Sequence, residues 1–230
     1  MADQHLLNDI RAHGPQAAIA AWREHHRTMH GPDLSYADLA GLDLKGCNLA
    51  QANLSHARLM IANLIGTNLQ GAVLHHANLN GAQLQDANLD YAQVHDADFI
   101  DANLQRAKIW NAHFERCRLI RTNLSGARLN FSSFIETTFG AAVLNGTDFR
   151  CAAKLLKNTF IGAQFKNVDL RGIRNLERAD LAAELLKATE HTGVTTRMDL
   201  KRLVPGLRHS RTRGKIEGAG APKKTMRGYR

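Results

Sequence analysis

Aromatic residues make up only 6% of the 230-residue chain, which also has just 4 prolines and 3 cysteines. Few aromatics predict an interior of small and aliphatic side chains, with no thick aromatic layer. Cys47, Cys117 and Cys151 are too few and too far apart for a disulfide framework or a paired metal motif. Long apolar runs are missing as well. The longest, Ala17 to Trp22, falls far short of the roughly 20 residues that a membrane-spanning helix needs. The opening residues Met1 to His5 lack the basic and apolar regions of a secretory signal. A soluble, cytoplasmic protein without a membrane partner is expected. Catalytic signatures are absent too: no phosphate-binding glycine loop, no G-x-S-x-G and no H-E-x-x-H. No enzyme activity and no cofactor are expected. Yet hydrophobic residues reach 44%, too many for a disordered chain.

What the chain has is a period. Stepping by five from Leu34 to Phe149 meets an apolar residue all 24 times, among them Leu39, Leu84, Val94, Ile109 and Phe134. At the bulk hydrophobic frequency the probability of this is on the order of 10⁻⁹, so the chain is a repeat. Two residues before each large one lies a small one. From Ala37 to Thr147, alanine fills 15 of 23 such positions, Cys, Thr or Ser fills 7, and Leu42 is the exception. The intervening residue is often Asn or Asp, as at Asn53, Asn68 and Asn103.

A five-residue period fits neither regular element. Five steps along a helix turn about 500°, so the apolar residue would wander around the cylinder. Five steps along a straight strand flip it to the opposite face. Every large residue stays inside only if the chain bends after each unit and four bends close a square coil. Successive coils then stack about 4.8 Å apart, the ordinary strand spacing. Ala37-Asp38-Leu39-Ala40-Gly41 and Ala52-Asn53-Leu54-Ser55-His56 resemble the pentapeptide-repeat family, with signature A(D/N)LXX. The resemblance implies an all-β solenoid, a right-handed quadrilateral β-helix, here of about seven coils over residues 32–175. One slip is expected. Phe149 is followed by Leu155 rather than by residue 154, so an extra residue near Ala152-Ala153-Lys154 must form a bulge or a wider corner.

Solenoid ends expose unpaired backbone and apolar core, and α-helical caps are expected at both. Residues 1–31 read as an N-terminal cap. Leu6, Leu7 and Ile10 form one apolar group, Pro15 starts a second helix, and Trp22 is placed to plug the first coil. Residues 176–206 read as a C-terminal helical cap and a candidate homodimer contact. Residues 207–230 change composition: from Arg208 to Arg230 there are eight basic residues and one acid. This segment reads as a disordered basic tail. Within it, Arg211, Arg213, Lys215, Lys223, Lys224 and Arg227 are candidates for nonspecific nucleic-acid association.

Charge divides the rod. Residues 34–103 hold 7 acids and 2 bases, net −5, whereas residues 104–174 hold 4 acids and 12 bases, net +8. Arg106, Arg116, Arg118, Arg121 and Arg128, with Asp86, Asp90 and Asp101, form the candidate interaction surface. Some internal pairing is expected, because Asp98 lies one coil below Arg118. Residues twenty apart should stack, so His75, His95 and Glu115 form one column and His56 and His76 begin another, with His113 nearby. Imidazole and carboxylate at this spacing can hold a transition metal. A flat face lacks the usual concavity of a site, however, and no metal ligand is assigned.

The functional expectation is a rigid scaffold or regulatory adaptor for another protein. The family resemblance adds an alternative, modulation or protection of DNA gyrase through an acidic, duplex-like surface. A duplex mimic should be acidic along its whole length, which this rod is not.

Overall fold

The computed structural model describes residues 3–26, 30–152, 154–165 and 168–169. The expected C-terminal cap and basic tail lie outside these residues.

Parallel bridges join residues twenty apart, beginning with Asp33 to Asn53, Asp38 to Arg58 and Asp43 to Asn63. One coil is therefore four pentapeptides. Each large residue donates its N–H to the coil above, as Leu54 does to the Val73 carbonyl at 2.7 Å. Parallel strands of three residues mark one face: β1 (Gln93–His95), β2 (His113–Glu115), β3 (Ser133–Ile135) and β4 (Lys154–Leu156), in the order β1-β2-β3-β4.

The corners explain the unit of five. The N–H of the small residue closes a turn onto the large residue before it, as Ala57 does to the Leu54 carbonyl at 3.0 Å. The residue just before the small one takes positive φ, +59° at His56 and +57° at His76, as a type II turn requires at its third position. The Asn or Asp before the large residue serves the same corner. Asn53 Oδ1 accepts the Ser55 N–H at 3.1 Å, while Asn53 Nδ2 donates to Asp33 one coil below. Such Asx contacts explain the residue preference.

Among the described residues, every inward position except the partly buried Leu42 is buried. Where threonine replaces alanine, its hydroxyl finds a backbone acceptor in the coil below: Thr67 bonds the Leu44 carbonyl at 2.7 Å and Thr122 the Phe99 carbonyl at 2.6 Å. These bonds remove the cost of burying a hydroxyl. The expectation of an interior without an aromatic layer needs correction. The chain has 8 phenylalanines, and all except Phe131 are buried. They concentrate after Val94, with ring centroids 5.0 Å apart for Phe114 and Phe134 and 4.7 Å for Phe139 and Phe160. Bulk composition hid this because the few rings are gathered in one half.

The slip is present. Phe134 pairs with Leu155 and Thr138 with Thr159, a step of twenty-one. Ala152 is still inward and Lys154 is back in the ladder, so the extra residue falls between them. Asn158, in the next small position, is buried yet satisfied: Nδ2 donates to the Phe134 carbonyl and Oδ1 accepts the Thr137 N–H.

At the N-terminus, α1 (Gln4–His13) and α2 (Pro15–His25) pack on the first coil. Asp3 caps α1 by accepting the Leu6 N–H. Gln16 and Arg23 donate to carbonyls of residues 43–50. At Gly31 a Cβ would lie 2.3 Å from the Ala50 carbonyl oxygen, so only glycine permits this approach. Trp22 differs from expectation. Leu6 and Ile19 fill the apolar centre, and Trp22 sits at its rim with the indole N–H donated to Asp3. The indole nitrogen needs an acceptor that the apolar coil cannot supply.

Candidate functional site

Three outward positions per unit build columns of side chains twenty residues apart. The candidate acids and bases meet along these columns. Asp86 receives Arg106, Asp101 receives Arg121, Asp96 receives Arg116 and Asp98 receives Arg118, each by two guanidinium nitrogens. Hydrogen bonds from these arginines hold the carboxyls of Asp86, Asp96 and Asp101 below the usual carboxylate range. The acidic and basic halves thus abut at a one-coil step and cancel pairwise. Arg58 and Asp38, and Lys157 and Glu136, continue the pattern.

Two of the candidate residues stand apart. Asp90 accepts the Trp110 N–H at 2.8 Å. Arg128 stacks above Lys108, and among the described residues neither has a carboxylate within ion-pair distance. Together with Trp110 and Asn130 they line a shallow groove. Beside it run three aromatic rings that composition and motif reasoning missed. Tyr91, Trp110 and Phe131 remain 43%, 39% and 48% exposed. Their centroids are 4.9 Å apart for Tyr91 and Trp110 and 5.8 Å for Trp110 and Phe131. The column spacing carried the signal: Tyr91 and Phe131 share a column, and Trp110 occupies the adjoining corner position.

The histidine face forms as the columns predict. His56 stacks between Tyr36 and His76, and His75 contacts His95 edge-on with centroids 4.4 Å apart. His113 joins them, its Nε2 3.5 Å from Glu115 Oε2, while His95 Nδ1 lies 4.0 Å from the same oxygen. Partial burial, with neighbouring imidazoles, pushes the His75 pKa below its ordinary value. Partial burial does the same for His95, against the pull of Glu115. Cys47 and Cys117 are buried, as inward fillers should be, and burial pushes their thiols up to about 11 and about 12. Cys151 is exposed at a corner. The candidate tail residues lie outside the described residues.

Two family models match the chain: "Pentapeptide repeat region" over residues 37–114 and "Pentapeptide repeats (8 copies)" over residues 122–172. The chain belongs to the pentapeptide-repeat family. Proteins of this family are right-handed quadrilateral β-helices, and the twenty-residue coil follows that fold. Among solved pentapeptide-repeat structures, one from the Arabidopsis thaliana thylakoid lumen shares 20% identity, with 50% of this chain and 77% of that one covered and a TM-score of 0.44. A trypsin-treated form of QnrB1, a plasmid-mediated fluoroquinolone resistance protein, also shares 20%, covering 66% and 84%, with a TM-score of 0.44. HetL from the cyanobacterium Nostoc, involved in heterocyst differentiation regulation, shares 21%, covering 63% and 85%, with a TM-score of 0.19. No match was found among curated protein sequences.

Proposed function

We propose that this pentapeptide-repeat protein is a non-enzymatic, cytoplasmic interaction scaffold, its N-terminal helices capping the coil and its outer surface binding another protein. The carrying observation is the row Tyr91, Trp110 and Phe131, exposed side by side beside Lys108 and Arg128. Aromatic and arginine side chains dominate protein-interface energetics, because they bury large areas at small entropic cost. A coil bonded at every rung holds them in place before a partner arrives, which lowers the cost of association. Asp90 and Arg128 belong to this surface.

The gyrase-directed reading has less support. It needs a run of unneutralised acids, and Asp86, Asp96, Asp98 and Asp101 are each engaged by an arginine. Affinity capture with mass spectrometry tests both readings, run with the wild type, a Trp110→Ser/Phe131→Ser variant and an Asp86→Asn/Asp101→Asn variant. A partner lost only by the aromatic variant supports the scaffold surface. A partner insensitive to that variant removes it. A wild-type effect on gyrase supercoiling that the aspartate variant abolishes would favour the alternative.

A further inference from the structure

We propose that His95, His113 and Glu115 form a binding site for one divalent transition-metal ion of the zinc type. The backbone brings them together. His95 and Glu115 are directly paired across β1 and β2, and Gln93 is paired with His113. His113 and Glu115 are two apart on one strand, so their side chains leave on the same face. His95 enters that face from the coil below.

The donor atoms converge. His113 Nε2 and His95 Nδ1 lie 3.5 and 4.0 Å from Glu115 Oε2, and the three candidate ligand atoms all lie within 4.8 Å of one another. A tetrahedral ion with bonds of about 2.0–2.1 Å needs donors about 3.3 Å apart. The gap is within reach of small side-chain rotations, because the β1–β2 ladder fixes the backbone while all three side chains stay partly exposed. Two imidazoles and one carboxylate are a donor set suited to zinc and its neighbours rather than to calcium or magnesium.

The surroundings orient the set. Arg116 Nη1 donates to Glu115 Oε1, which leaves Oε2 turned to the imidazoles. The charge of Arg116 is itself met by Asp96, at 2.7 and 2.8 Å. Asp96, Arg116 and Glu115 therefore sum to one negative charge beside the site. His75 packs edge-on against His95 from the coil below, and its own Nδ1 is buried without a partner. This contact restricts the His95 ring, as outer groups do around bound metals. Three protein ligands would leave at least one coordination position open to water or to a side chain from another molecule.

The test titrates Zn²⁺ into the full-length, untagged protein in competition with a chromogenic chelator, and follows Co²⁺ by visible absorption as a second readout. One ion per chain is expected. His95→Ala, His113→Ala and Glu115→Gln should each weaken binding by at least about tenfold, and His56→Ala, in the adjoining column, should not. All four positions are surface ones, and circular dichroism checks that each variant keeps its fold. Absence of binding at about 0.1 mM Zn²⁺, or binding that survives the triple variant, overturns the proposal.

Discussion

Arg106 lies one coil above Asp86 and grips it with two nitrogens, Nε to Oδ1 at 2.8 Å and Nη2 to Oδ2 at 2.6 Å. The same relation holds for Asp101 and Arg121. The charge contrast between the two halves of the rod is therefore largely a contact between neighbouring coils. Acids end one coil and arginines begin the next, in the same columns.

Exposed pairs of this kind contribute little singly, about 0 to 1 kcal/mol. Arg106→Asp alone should set two carboxylates against each other and lower the melting temperature slightly. The exchange Asp86→Arg/Arg106→Asp should restore it. A thermal-melting double-mutant cycle reads the coupling, which should shrink with added salt. A zero coupling at low salt would show that the two groups are merely adjacent.

The interior should tolerate no charge and little loss of volume. Leu84 is fully buried, and Leu84→Asp should cost several kcal/mol and unfold or aggregate the rod. Phe134 touches Phe114, Phe139 and Phe149, so Phe134→Ala should cost about 3–5 kcal/mol by denaturant unfolding. Native stability in either variant would mean the inward register is misassigned.

Ile61 is a β-branched residue at φ +53°, and it stands 70% exposed. Left-handed backbone costs such a residue about 1–2 kcal/mol relative to glycine. Its column neighbours Gly41 and Gly81 are glycines at positive φ, and a Cβ at Gly81 would press on Ile61 at 3.1 Å. Ile61→Gly should raise stability by about 1 kcal/mol. A lower melting temperature would show that the side chain packs more usefully than its exposure implies.

Acid should weaken one corner in a defined window. Burial pushes the Asp148 carboxyl up, but bonds from Arg150 and Asn130 outweigh it and bring the pKa to about 2, from an ordinary 3.8. A depressed folded-state pKa gives stability that is present above about pH 4 and is lost as the pH falls towards 2. Solvent screening limits the contribution to about 1 kcal/mol. Asp148→Asn should flatten the stability profile between these values and change it little at pH 7. Parallel profiles for wild type and variant would remove Asp148 from the acid response.

The period of five was legible because every unit repeats the same steric demand, large side chain inside, small one beside it, bend outside. Leu84 and Ala87 could be placed from spacing alone. Of the ion pairs, the step of twenty placed Asp98 under Arg118, and Asp86, Asp96 and Asp101 under Arg106, Arg116 and Arg121 follow by the same arithmetic, whereas Glu136 and Lys157 are twenty-one apart across the slip. Trp110 and Phe131 are twenty-one apart and touch across a corner, which column counting passes over. Trp22 turned towards Asp3, nineteen residues earlier, because of a hydrogen-bond requirement that apolar patterning does not encode. The histidine columns were readable, whereas the convergence of His113 on Glu115 depends on side-chain direction within one short strand.

The single-residue slip also constrains how such a rod can grow. The slip between Ala152 and Lys154 lengthens one coil to twenty-one residues and leaves the later pairing in register, so Thr138 still finds Thr159 and Val143 still finds Gln164. No later face is rotated. Inserting five residues between Asp96 and Arg106 would keep every interior contact type but turn all that follows by a quarter revolution, tearing Asp86 from Arg106 and His95 from Glu115. Only duplication by twenty lengthens the rod and preserves its columns. The interior is thus indifferent to the number of pentapeptides, and the surface chemistry counts them in fours.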